Sequence, residues 1–321
     1  MLSEVEQDNA CLPIEIEEAQ GETRIDNNYN RKSEICLPCQ SEPENELKIN
    51  IKKTGIYFHG LNRKYPTYNT LSPHNRGMLL LITNIDFKSG EKTRNGANVD
   101  HENVKELFKQ LGFCVVEAIN RTKSEMEEIV KAFATDPDLQ KYDICATIVM
   151  SHGSTKAGET MIVTTDGEDI STKWIVEQFY EDKCKGMVGK PKIFIFQCCR
   201  SAKSDVQIDT SLVPRKIEDI LICYCTVPDS NAYRHTVSGS WYINDLCQVF
   251  MEHAHDTDIE HLLKLVDDKL RNRNDKDRWQ TSECLDVAMK KEPMDIGWRM
   301  MRGVQVVLGG LGVFTSSPGG V

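Results

Sequence analysis

An α/β fold, with a mostly parallel central sheet of about six strands and helices on both faces, follows from two observations. Residues 78–83, 144–150 and 192–197 are near-continuous apolar runs, the pattern of strands buried on both faces. Between such runs lie segments with apolar residues three and four apart, so strand and helix alternate, as parallel crossover connections require.

The first strand, 78–83, precedes a helical stripe of Val99, Val104, Leu107, Phe108 and Leu111, which Gly112 ends. Residues 113–118 make the second strand. Thr122 and Glu125 then stand three apart ahead of Met126, Ile129, Val130 and Phe133, the spacing of a capping box at a helix start. A third strand, 144–150, runs into Ser151-His152-Gly153. A hairpin turning at Asp166-Gly167 and a helix over 174–180 follow. Strands at 192–197 and 220–225 and helices at 241–253 and 259–271 complete the pattern. The polar stretch between Arg200 and Ile217 is a loop long enough to indicate function or processing. Residues 303–314 are apolar but broken by glycine, with room for one strand.

Composition narrows the function. Of a formal net charge of −10, residues 1–50 carry −8, and they lack periodicity, so residues 1–64 read as an acidic, largely disordered segment. The remainder is near neutral, which excludes a basic nucleic-acid footprint. No apolar run approaches the ~20 residues of a membrane span, and the amino terminus lacks a signal-peptide pattern, so no membrane partner is expected. Twelve cysteines then read as reduced thiols of a cytoplasmic protein, with Cys114, Cys145, Cys223 and Cys247 as small core residues. Cys36 and Cys39 have zinc-ligand spacing but no matching second pair, so neither metal nor cofactor is expected.

The chemistry concentrates at the carboxyl ends of two predicted strands, where open α/β sheets place reactive groups. Cys199 follows residues 192–197 directly, and His152 ends the run at 144–150, 47 positions upstream. A thiol near pKa ~8.5 needs a base at neutral pH, which makes Cys199 the candidate nucleophile and His152 its proton partner. Cys198 points to the opposite face if strand geometry persists, and reads as core.

Gln197-Cys198-Cys199-Arg200-Ser201 resembles the caspase pattern Gln-Ala-Cys-Arg-Gly with a histidine ~50 residues upstream, departing at Cys198 and Ser201. Further segments are similar in order and spacing over residues 65–286: Arg94-Asn95-Gly96-Ala97-Asn98-Val99-Asp100 after the first strand, then Tyr224-Cys225-Thr226-Val227-Pro228, Tyr233-Arg234 and Gly239-Ser240-Trp241.

The resemblance implies a caspase-like fold and a cysteine endopeptidase that cleaves protein substrates after aspartate. It implies a zymogen with a short prodomain (1–64), a large catalytic region (65–209), a small region (210–287) and an atypical tail (288–321). Arg94, Gln197 and Arg234 would form the pocket for the aspartate, with guanidinium forks matching its carboxylate. Tyr233 would lie beneath the second substrate side chain. Trp241 would line an outer subsite, or serve as a core tryptophan opening a helix. The backbone N–H groups of Gly153 and Cys199 would hold the oxyanion. An upstream protease would cut after Asp209 in the linker and after Asp26 in the prodomain. A homodimer and a role in apoptosis are implied as well. Relatives close the sheet with a Lys-Lys-aromatic strand, whereas here Met289-Lys290-Lys291-Glu292-Pro293 keeps only the lysines, so a non-catalytic homologue that modulates others by dimerisation is the alternative.

Overall fold

The computed structural model describes residues 47–53, 68, 75–201, 217–273 and 278–289. Asp26, Asp209, Cys36, Cys39 and the tail beyond Met289 lie outside them.

Strands β1 (Gly77–Thr83), β2 (Phe113–Ile119) and β3 (Ile144–Met150) come first, and β1 and β3 are buried along their whole length. Helices α1 (Ala97–Gln110) and α2 (Lys123–Ala134) connect them. At the start of α2 the predicted capping box forms, with Thr122 accepting from the Glu125 N–H and Glu125 accepting from Thr122 N. A small antiparallel sheet follows, of β4 (Gly153–Lys156), β5 (Glu159–Val163) and β6 (Asp169–Ser171), leading into the short helix α3 (Thr172–Glu177). Then come β7 (Lys192–Gln197), β8 (Ile220–Tyr224), the ribbon β9 (Arg234–His235) and β10 (Gly239–Ser240), helices α4 (Trp241–His253) and α5 (Ile259–Arg271), and β11 (Glu283–Val287).

The main sheet has six strands in the order β11-β8-β7-β3-β1-β2, parallel except for antiparallel β11. One apolar layer packs α1, α4 and α5 on one face and a second packs α2 and α3 on the other. In α5 the buried side chains are Ile259, Leu262, Leu263, Val266 and Leu270, a helical stripe, each contributing roughly 1.5–3 kcal/mol on burial.

Three expectations change. The sixth strand is β11, within 283–287, where the sequence marked no strand, and the strand for which 303–314 leaves room lies outside the described residues. The helix predicted at 174–180 starts at Thr172 and ends by Glu177. Cys114 is disulfide-bonded, whereas the eight other described cysteines are free thiols.

Candidate active site

The site forms where β3 and β7 end side by side. Met150 lies opposite Gln197 in the parallel register, and Ser151 N donates to Gln197 O at 3.1 Å, so His152 and Cys199 each lie two residues beyond the last paired positions of adjacent strands. Glycine is required at 153: a Cβ there would lie 2.8 Å from Cys198 Cβ and 2.9 Å from Cys199 O. The backbone after the thiol is clipped to β4 by Thr155, whose N donates to Ser201 O at 2.9 Å and whose hydroxyl donates to Arg200 O at 2.6 Å. Cys198 and Cys199 enter opposite apolar layers, Cys198 with α2 and α3, Cys199 with α1, α4 and α5. Cys199 is 3% exposed, its Sγ 4.0 Å from Ala232 O.

His152 Nε2 lies 2.8 Å from Lys92 O. A carbonyl only accepts, so Nε2 carries the proton and Nδ1 is the basic nitrogen of the neutral ring. The ring leans on Phe87 with centroids 4.9 Å apart. Burial is the main cause that lowers the His152 pKa to about 4; the Lys92 carbonyl opposes it, and the Arg94 and Arg234 guanidiniums push the same way as burial.

Those two arginines come from separate loops. Arg94 Nη1 donates to Asn84 O at 2.9 Å and the side chain is 1% exposed. Arg234 Nε donates to Asn95 O at 2.9 Å, tying β9 to the Arg94 loop. Asp100 sits under both. Its carboxylate accepts from Ser240 N at 2.7 Å and Ser240 Oγ at 2.6 Å, and burial raises its pKa against the pull of Ser240, Arg94 and Arg234. The loops approach so closely that Gly96 and Gly239, both at φ +86, admit no side chain; a Cβ on Gly239 would meet Asp100 Oδ1 at 2.2 Å. Gln197 is buried, and its Oε1 has no hydrogen-bond partner among the described residues.

Tyr233 and Trp241 pack with ring centroids 4.9 Å apart and planes tilted by 39°, and Trp241 is buried at the head of α4, in the same apolar layer as Cys199. Arg200, directly after Cys199, braces the loop: it donates to Thr160 Oγ1 at 2.9 Å and Thr226 O at 3.1 Å, pairs with Glu283, and lies over Tyr224. Sequence reasoning missed Lys92, Asp100 as the clamp, Gln280 and Glu283. Only Asp100 carried a signal, since it closes the Arg94 motif.

Two groups of side chains lie close enough to share a cation, His101 with Glu102 and Glu117, and Glu181 with Glu218 and Asp219, both away from Cys199 in sequence. In the first, Lys105 Nζ already lies 3.0 Å from Glu117. Among the described residues no helix is long and apolar enough to cross a membrane.

A family described as the Caspase domain matches residues 76–294. Caspase Dronc of Drosophila melanogaster is 26% identical over 254 residues, covering 70% of this chain and 56% of the relative. Caspase-7 of Gallus gallus is 32% identical over 207 residues, covering 59% and 65%. The chain thus spans between half and two thirds of the length of these relatives. The crystal structure of the Drosophila initiator caspase Dronc superposes with a TM-score of 0.66 at 24% identity, covering 82% of this chain and 98% of that one. Caspase-1 from Spodoptera frugiperda gives 0.63 at 26% identity, covering 77% and 99%.

Proposed function

The chain belongs to the caspase family, and from that premise we propose that it is a cysteine endopeptidase that cleaves proteins after aspartate. The observation that carries this reading is the pair Arg94 and Arg234, held together beside His152 by the Arg234 bond to Asn95 O, with the Asp100 carboxylate engaged by Ser240. Two buried guanidiniums present rigid donor forks, and the carboxylate of an aspartate side chain matches them. Gln197 adds a buried carboxamide whose free end, after a half-turn of the amide, donates to the same carboxylate.

In this reading His152 Nδ1 takes the proton of Cys199, and the thiolate attacks the carbonyl after the aspartate. The oxyanion settles on the N–H groups of Gly153 and Cys199, the imidazolium protonates the leaving amine, and water hydrolyses the thioester. Tyr233 faces the second substrate side chain. Because Trp241 is buried against Tyr233, its support for an outer subsite is indirect, through Tyr233.

The protein is read as a cytoplasmic zymogen acting in apoptosis, cut by an upstream protease after Asp209 and Asp26, with regions 1–64, 65–209, 210–287 and 288–321 in the order given above, and working as a homodimer. The test is hydrolysis of paired fluorogenic tetrapeptides ending in Asp or Asn, before and after linker cleavage. Cleavage of the Asp peptide alone, lost in Cys199→Ala and in Arg94→Ala and Arg234→Ala, is the expected result. No hydrolysis of either peptide by dimeric, cleaved protein would favour the non-catalytic, dimer-modulating homologue.

A further inference from the structure

We propose that Cys223 and Cys284 are a dithiol couple that a hydroperoxide closes into a cross-strand disulfide, fastening the last strand of the sheet to its neighbour. The two residues are direct partners in the antiparallel β8–β11 register, and the neighbouring Cys284 thiol adds to the burial that raises the Cys223 pKa. Opposed residues of an antiparallel pair project from the same face. That face is the α4–α5 side, where Cys223 is fully buried.

The backbone spacing suits a disulfide. Asp219 N donates to Ala288 O at 3.1 Å, one step beyond the Val287–Ile220 pair. Hydrogen-bonded pairs alternate along such a ladder, so counting by twos from Asp219–Ala288 reaches Cys223–Cys284, with Cα atoms about 5.5 Å apart. Disulfides span Cα separations of roughly 4.4–6.8 Å, so the bridge forms without moving the backbone.

Access is divided between the two sulfurs as a peroxide couple requires. Among the described free cysteines Cys284 alone is exposed, and it lines a cavity of about 470 Å³ between α5 and β8–β11, with Leu221, Leu263, Asp267 and Ser282 around it. The oxidant enters there. The Cys284 thiolate attacks a peroxide oxygen, giving a sulfenic acid and releasing water or an alcohol. Cys223 then attacks the sulfenic sulfur, forming the S–S bond and releasing a second water that takes up the Cys223 proton. Two thiols are oxidised by two electrons and one peroxide is reduced. The Tyr242 hydroxyl, buried near both thiols and without a hydrogen-bond partner among the described residues, is placed to donate to the sulfenic oxygen.

The bridge reaches the active site along β11. Glu283, next to Cys284, pairs with Arg200, which follows Cys199, and Gln280 just before β11 holds the Tyr233 backbone. Locking β11 onto β8 therefore fixes both braces.

The experiment uses the full chain carrying Cys199→Ala, so that the catalytic thiol does not consume oxidant and the outcome is independent of the protease reading. After graded hydrogen peroxide and acid quenching, peptide mapping should show Cys223 and Cys284 linked within one chain, lighter by two hydrogens, and restored by dithiothreitol. Cys284→Ser should abolish the link and leave Cys223 unmodified; Cys223→Ser should leave a dimedone-trappable sulfenic acid on Cys284. The oxidised chain should unfold at higher denaturant than the reduced one. Over-oxidation of Cys284 with no link to Cys223, or a link solely between two chains, would overturn the proposal.

Discussion

Gln280 Oε1 accepts the backbone N–H of Tyr233 at 2.9 Å while its Nε2 donates to Cys225 O at 2.7 Å, with the side chain 1% exposed. One buried carboxamide thus ties the end of β8 to the loop that presents Tyr233 and Arg234. Gln280→Ala leaves a donor and an acceptor buried and unpaired, at about 1–3 kcal/mol each when no water replaces the amide. We expect a melting temperature lowered by several degrees. The KM for an Asp tetrapeptide should rise more than kcat falls, because in the proposed reading the loop binds substrate and performs no chemistry. Unchanged KM with full stability would contradict this role.

Gly153→Ala tests the oxyanion position. The added methyl would meet Cys198 Cβ and Met161 O at 2.8 Å and Cys199 O at 2.9 Å, none of them the mobile end of a long side chain. Overpacking of this kind costs about 1–3 kcal/mol, and displacing a donor from the oxyanion costs ~10²–10³ in rate. Steady-state kinetics beside a denaturant titration separates the two losses. A variant with wild-type kcat sinks the assignment of the Gly153 N–H.

The depressed His152 pKa sets a pH window. Folded, the imidazole titrates at about 4; in the unfolded chain it titrates near 6.5. Between those values the unfolded state binds a proton that the native state does not, so stability rises with pH across that interval and levels off above it. His152→Gln should flatten the profile there. Burial is the main cause of the shift, so an imidazole resonance followed by NMR in the Cys199→Ala chain should move with a midpoint near 4. A midpoint near 6.5 would mean that His152 is more hydrated than its contacts with Phe87 and Lys92 imply.

Legibility followed the physical signal. Strands β1, β3 and β7 were readable because burial on both faces demands continuous apolar runs, and α2 because its capping box is a local sequence pattern. β11 was not, since Glu283-Cys284-Leu285-Asp286-Val287 mixes polar and apolar positions on an edge strand with one partly solvated face. Cys199, His152, Arg94 and Arg234 were legible as side chains in a familiar order. Lys92 acts through its carbonyl and Gln280 through an amide 47 positions from its partner Tyr233, and neither role leaves a mark on residue type.

Burial of Cys199 leads to the last prediction. At 3% exposure the thiol is packed in an apolar layer with Ala232 and Trp241, a setting unsuited to attack on a peptide. The chain leaving it is pinned at Arg200 and Ser201 by Thr155, and Ile217, three residues before β8, lies 16 positions beyond Ser201. We expect cleavage after Asp209, within Val206-Gln207-Ile208-Asp209-Thr210, to release that tether and let the Cys199 and Arg234 loops open into a cleft. Mass spectrometry should then find a new amino terminus at Thr210. Alkylation of Cys199 by iodoacetamide should accelerate on the order of tenfold or more upon cleavage, since only an exposed thiolate reacts. Equal alkylation rates before and after cutting, or full activity in protein with an intact linker, would show that the thiol is opened by some other motion.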